Sequence, residues 1–302
     1  MKEPLKTLAM PQSLALGYRS DWAARLGGQI AERAPFGHEL VLPRNQVGEL
    51  LECTGLWRGE RRCENSPFIS QSILQAQLTK RLCREWLRET GTEVGLWPFQ
   101  FVGQALNDFD SMTLPIRQWI GPQAEEERTE TIGEIAAVIA RVADELGHPD
   151  APTEVTVCDQ MSAQIDDLLL VANDVDLIIG QGERTDGVYW PGAVLIGFVP
   201  DRPTGEDLDA LAFSALMYSL NHGGPPARVV SYGLLSGKGM GLEVERDWVE
   251  LAAGGVCAAL PKLLDCINGA DFTLTPGEHC RRCPDHGNCP FSQMDTHMDW
   301  EL

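Results

Sequence analysis

The chain is short of positive charge. It carries 24 Lys and Arg against 44 Asp and Glu, a formal net charge of −20 over 302 residues. That balance argues against a broad nucleic-acid-binding surface, because gripping phosphates needs many Lys and Arg to displace counterions. A local basic groove is still allowed, and an acidic exterior suits a subunit that docks on a basic partner. Long apolar runs are missing too. No stretch approaches the roughly 18 apolar residues of a membrane span. Residues Met1 to Lys6 lack the apolar core of a secretory signal, so a cytoplasmic location is expected. No Gly-rich phosphate loop of Walker type is present, which argues against intrinsic ATPase or helicase activity. No nucleophile-elbow pattern marks a serine hydrolase. Internal repeats and low-complexity segments are also lacking.

What is present is enough apolar sequence to fold. At 43% hydrophobic the chain should be globular, and its length allows one large domain or two smaller ones. Nine cysteines, an odd number, do not read as a disulfide framework in a reducing compartment. Three of them stand close together near the C-terminus. Cys280 and Cys283 form a CxxC, and Cys289 follows, in a loop of Gly, Pro and charged residues. Core packing does not account for such a triplet. The spacing suits a metal centre with one ligand missing, so a Cys₄ site would recruit the fourth from elsewhere. Zinc is the alternative, with His279 or His286 as a nearby ligand.

Residues 1–40 give no clear element. Residues 44–52 read as a short helix ending near Cys53. Residues 70–88 place Ile73, Leu74, Leu78, Leu82 and Trp86 near helical spacing. Residues 91–123, rich in Gly, Pro and aromatics, read as strands or irregular connections. Thr131 and Glu134 suggest a capping box that opens a helix to Leu146, with Gly147 and Pro149 as stops. Residues 167–179 read as strand, 180–187 as a polar turn, and 192–200 as a strand apolar enough for a sheet centre. Thr204 and Asp207 cap a helix that ends near Gly223, residues 227–235 form a third strand, and Asp247 with Glu250 opens a last helix to about Cys266.

This order of landmarks resembles the RecB-type branch of the PD-(D/E)XK nuclease superfamily. It is closest to members with an iron–sulfur cluster, the AddB nuclease domain and the CRISPR-associated RecB-like exonucleases. The resemblance covers residues 155–291 well and residues 40–90 weakly. It implies a restriction-endonuclease-like α/β fold, a mixed central sheet flanked by helices. Residues 1–150 would be an N-terminal helical region, 151–270 the nuclease-like core, and 271–302 the cysteine loop and tail. The lead-in from Phe272 to Cys280, and Pro290 after Cys289, are similar to the family's pattern. One upstream cysteine would complete a 4Fe–4S cluster and tie the N-terminal segment to the C-terminal one. Cys53 stands first because a Leu-rich helix end precedes it, although Thr54 replaces the family's proline. Cys83 and Cys63 are the other candidates. Cys158, Cys257 and Cys266 read as small buried hydrophobes.

In this family, strand-borne acids hold Mg²⁺ or Mn²⁺, and a lysine two residues after the second acid helps position the attacking water. Asp176 matches the first acid, with Asp186 a weaker candidate. Gly197 stands where the second acid belongs, and Val199 where the lysine belongs. Glycine has no ligand atom and valine no charge. On the following helix Ser214 replaces the usual glutamine, while Tyr218 is retained. The family's upstream histidine has no clear counterpart; His38 precedes Cys53. Asp176 and Tyr218 are therefore expected to be vestigial. The resemblance thus implies an inactive nuclease-like scaffold in a DNA-processing assembly serving repair, phage defence or CRISPR adaptation. The alternatives are an active exonuclease using Mg²⁺ or Mn²⁺ through a migrated Asp201, Glu206 or Asp207, and a zinc-binding interaction module. Any DNA binding is expected to be weak, through Arg58, Arg61 and Arg62 and through Lys80, Arg81, Arg84 and Arg88.

Overall fold

A computed structural model describes residues 10–11, 21–28, 40–56, 70–90, 97–108, 111–146, 155–181, 183–185, 188–190, 192–269, 274–277, 279–280, 283 and 289. It is mixed α/β, with two mixed sheets flanked by helices. The helices are α1 (Arg44–Glu52), α2 (Gln71–Thr90), α3 (Pro98–Ala105), α4 (Leu114–Ile120), α5 (Glu125–Leu146), α6 (Gly205–His222) and α7 (Arg246–Ile267). Residues 21–28 are also helical. The strands are β1 (Met10–Pro11), β2 (Leu40–Pro43), β3 (Val155–Val157), β4 (Met161–Ile165), β5 (Leu168–Ala172), β6 (Leu177–Ile179), β7 (Glu183–Thr185), β8 (Val188–Trp190), β9 (Val194–Val199), β10 (Arg228–Gly233) and β11 (Lys238–Glu243).

The largest sheet has the order β11-β10-β9-β6-β3. β3, β6 and β9 pair antiparallel in turn, with Leu177 opposite Ile196. Helix α6 then crosses over, and β10 lies parallel to β9. β9 is the middle strand and is buried along nearly its whole length, as its unbroken apolar run predicts. A second sheet, β2-β5-β4, packs parallel β2 against β5. A third, β1-β8-β7, is small and antiparallel.

Alternation along the central strands divides the core in two. Ile196, Phe198, Val230 and Tyr232 face the N-terminal helices, where Leu78, Leu82, Ile135 and Ile139 meet them. Leu195 and Val229 face the opposite side, toward α6, α7 and the second sheet. Period-two strands between two helical layers give this arrangement directly. The N-terminal helices therefore cover one face of the main sheet.

Several expected boundaries shift. Residues 91–123 contain helices α3 and α4 instead of strands; each has a proline in its first turn, where the missing N–H costs nothing. Helix α5 begins at Glu125, so Thr131 is not a cap. Its hydroxyl donates to the Glu127 carbonyl one turn back, 3.0 Å away, within a continuous helix. Three glutamates fill the first turn and favour its N-terminus. Asp247 also fails as a cap, since α7 starts at Arg246 with Glu245 before it and no side-chain cap bond there. The 180–187 turn contains β7, and β3, β4 and β11 are additional strands. The Thr204–Asp207 capping box is present, and Gly223, at φ 69°, ends α6 in the left-handed region.

Candidate functional site

Asp176 lies immediately before β6, and its own N–H donates to the Ile196 carbonyl of β9, 2.8 Å away. The residue is 0% exposed. Its Oδ2 accepts the Phe198 N–H at 2.6 Å and pairs with Lys80 Nζ at 2.9 Å. Arg84 approaches Oδ1 at 3.5 Å. Burial pushes the carboxyl above the ordinary aspartate range, and Lys80, the Phe198 N–H and Arg84 pull against that rise. Both cations come from α2. Arg84 also pairs with Asp159, as does Arg88 at 2.5 Å. The hydrogen bond to Arg88 leads in holding Asp159 below its ordinary range.

The spacing of Lys80, Arg84 and Arg88 contained this clue. Residues four apart share a helix face, and this face presents only cations. Read as a nucleic-acid patch, the cluster gave no hint of its partners, which lie far away in sequence. Arg81 is engaged as well, with Glu85 at 2.7 Å. Arg58, Arg61 and Arg62 lie outside the described residues, as do Asp186, His38 and His286.

Gly197 sits beside Asp176 on the central strand. A Cβ there would stand 2.5 Å from the Asp174 carbonyl oxygen and 3.1 Å from a Leu211 methyl. The position has closed around glycine. Val199 ends β9, paired with Gly233 of β10. On α6, Ser214 is fully buried, and its hydroxyl has no hydrogen-bond partner among the described residues. Tyr218 is buried too and stacks on His222, with ring centroids 4.1 Å apart. Of the candidate migrated acids, Asp207 is taken by the cap: its Oδ2 accepts from the Thr204 N–H and hydroxyl, both at 2.7 Å. Asp201 and Glu206 are exposed beyond the strand.

The cysteines belong to a second location. Cys53 is buried at the end of α1, and its N–H donates to the Glu49 carbonyl at 2.9 Å. Lys262 of α7 donates to the carbonyls of Leu50 and Leu51 at 3.0 and 3.1 Å, which fixes this helix end. The C-terminal loop lies against it. His279 Nδ1 is 3.9 Å from Glu52, and a Cβ at Gly55 would meet both Leu274, at 2.6 Å, and the Cys53 sulfur, at 3.4 Å. Within the loop, the Gly277 N–H donates to Cys280 Sγ at 3.4 Å, and the Cys283 N–H to the Cys280 carbonyl at 3.3 Å. Cys280, Cys283 and Cys289 are half-buried. Cys83 is elsewhere, fully buried in α2 beside Asp176, and burial with that neighbouring charge pushes its thiol up to about 12. Cys63 lies outside the described residues.

The donor chemistry of Cys53, Cys280, Cys283 and Cys289 fits a thiolate-held centre, and chain placement brings Cys53 to the loop. Among the described residues, however, no group of three or more His, Cys, Asp or Glu side chains is gathered to hold a metal ion. Also among the described residues, no helix is long and apolar enough to cross a membrane.

Comparison with known proteins adds little. No family model matches the chain, and no curated protein matches it. A solved structure described as "Crystal structure of SSO0001" is similar at 12% identity over 80% of this chain and 94% of that one, with a TM-score of 0.27. A likeness that low carries no argument about fold or function.

Proposed function

We propose that this chain is a RecB-like, nuclease-fold subunit that has lost metal-dependent cleavage and serves as a scaffold in a DNA-processing assembly. The observation that carries the proposal is Asp176, a fully buried carboxylate claimed by Lys80, Arg84 and the Phe198 N–H. Two cations stand where a divalent metal would have to approach, and like charge repels it. Gly197 supplies no second ligand and leaves no room for one. The strand order supports the frame: an antiparallel β3-β6-β9 meander, a crossover helix, then β10 parallel to β9. In this reading Cys53, Cys280, Cys283 and Cys289 hold a 4Fe–4S cluster that ties α1 to the C-terminal loop. Such a cluster would supply structural cross-linking here. The chain's own residues orient it: Lys262 fixes the end of α1, and the Gly277 N–H donates to a ligand sulfur.

The test is anaerobic purification with a spectrum, metal analysis and a Mn²⁺ nuclease assay on one sample. A broad band near 400 nm with about four irons per chain, and no cutting, is the expected result. Cutting that disappears in Asp176→Ala would overturn the inactive reading. A colourless protein containing zinc would overturn the iron–sulfur assignment, with His279, whose Nε2 lies 3.7 Å from the Cys280 sulfur, as the added ligand to test.

A further inference from the structure

Strand β11 ends the main sheet, and among the described residues no strand pairs with its outer edge. It is six residues long, pairs with β10 residue for residue without a bulge, and is exposed at every position. Folded proteins blunt such edges with proline, bulges, brevity or charge, because an open row of N–H and C=O groups recruits another strand. The opposite edge follows that rule, since β3 has only three residues. β11 does not. It reads Lys-Gly-Met-Gly-Leu-Glu, with Met240 and Leu242 41% and 39% exposed at its middle.

One hydrogen bond fixes which backbone groups are open. The Val244 N–H, just past the strand, donates inward to the Ala227 carbonyl at 3.1 Å. In an antiparallel ladder the N–H and C=O of one residue point to the same side, and the side alternates along the strand. Lys238, Met240 and Leu242 therefore turn their backbone groups toward β10, while Gly239, Gly241 and Glu243 turn theirs outward. Side chains alternate between the two faces as well. Met240 and Leu242 share one face. Gly239 and Gly241 leave the other face bare, and Gly239 there borders a cavity over Tyr232.

We infer that β11 pairs antiparallel with β11 of a second copy of this chain, about a two-fold axis at Gly241. Self-complementarity singles out a second copy. Only the register centred on Gly241 pairs all three outward residues within the strand: Gly241 meets its own counterpart, and Gly239 meets Glu243 of the second copy, on both sides of the axis. The same register sets Met240 opposite Leu242 of the second copy. The exposed apolar residues then cover one another as close, non-hydrogen-bonded cross-strand neighbours. A register centred on Glu243 would instead set like charges opposite each other. The strand carries one lysine and one glutamate, so it is locally neutral in a chain whose overall charge of −20 otherwise keeps copies apart. The contact is isologous, as a two-fold dimer requires. Its area is that of one strand pair, which makes the dimer reversible. The inference does not depend on the nuclease-like reading, and no residue of β11 belongs to the Asp176 or cysteine locations.

The test is sedimentation equilibrium of the full chain, purified anaerobically, over a concentration series. A reversible monomer–dimer equilibrium is expected. Met240→Lys and Leu242→Glu should each weaken it about tenfold, since either substitution breaks the Met240–Leu242 contact on both sides of the axis. Both side chains are exposed, so the variants should melt as the wild type does. Mixing the two variants sets the new lysine opposite the new glutamate and leaves one Met240–Leu242 contact intact, so a heterodimer close to wild-type affinity should form. A wild-type chain that stays monomeric throughout would leave the edge to a different protein and overturns the inference. Undiminished association of both single variants, or no recovery on mixing, overturns it as well, because the contact would then lie on another surface or in another register.

Discussion

Asp176 shows how one carboxylate changes meaning with its surroundings. An exposed aspartate at a strand end is a metal ligand in waiting; one with no exposure, facing Lys80 and Arg84, is an internal ion pair. Burial raises its proton affinity in the folded state above the unfolded value near 3.9. The neutral form is thus favoured by folding, a contribution fully present below about pH 3.9 and lost as pH rises through the folded value. Denaturant titrations across pH should show the wild type losing stability relative to Asp176→Asn over that rise. A pH-independent difference between the two would contradict the burial argument. The neighbouring position makes a separate prediction. Gly197→Glu, which places a carboxylate where the proposed nuclease-like reading expects a second acid, forces contact with Asp174 and Leu211. It should cost roughly 1–3 kcal/mol in urea unfolding and yield no Mn²⁺-dependent cutting.

At the scale of elements, capping separates what local sequence decides from what it only suggests. Thr204 and Asp207 form a reciprocal box because the chain arrives extended at Thr204 and nothing upstream continues the helix. Thr131 and Glu134 have the same letters, but Glu125 to Glu130 already run as helix, so Thr131 bonds one turn back. Thr204→Ala should therefore lower unfolding stability by about 1 kcal/mol. Thr131→Ala removes no cap and should fall well short of that; equal losses would show that the helix starts where the sequence alone suggested. The helical pair in residues 98–120 was missed for a related reason. Prolines and aromatics read as breakers, yet a proline in the first turn starts a helix as readily as it ends one.

At the scale of the molecule, two of the contacts between distant segments bear on the candidate sites. One is α2 to the main sheet through Lys80 and Arg84, with more than 90 residues between the partners. The other is the end of α1 against the cysteine loop, with over 200 residues between them. If thiolates at Cys53, Cys280, Cys283 and Cys289 share a metal cluster, that second link closes most of the chain into a loop. Structural metal can supply about 10 kcal/mol to small domains, and a core of this size will rely on it less. Cys283→Ser should lower the melting temperature and abolish any absorbance near 400 nm; unchanged melting would remove the structural role. The ion pairs along α2 bear on partners too. With Lys80, Arg81, Arg84 and Arg88 all paired internally, few charges on that helix are left to displace counterions. A filter-binding series against salt should give a shallow slope for any DNA bound through α2.

Features that depend on neighbours in the chain can be read from the residues alone. The unbroken apolar run of β9, the capped start and glycine end of α6, the period of α2 and the CxxC loop were all legible, because side-chain alternation and caps act over a few residues. Which charges meet depends on the packing of the elements. That Lys80 and Arg84 neutralise Asp176, that Cys53 rather than Cys83 lies beside the loop, and that a glycine on β11 leaves a cavity over Tyr232 all follow from how sheets and helices stack. Electrostatic attraction and exclusion of water operate through space, so residues far apart in sequence carry no local mark of the partner they will meet.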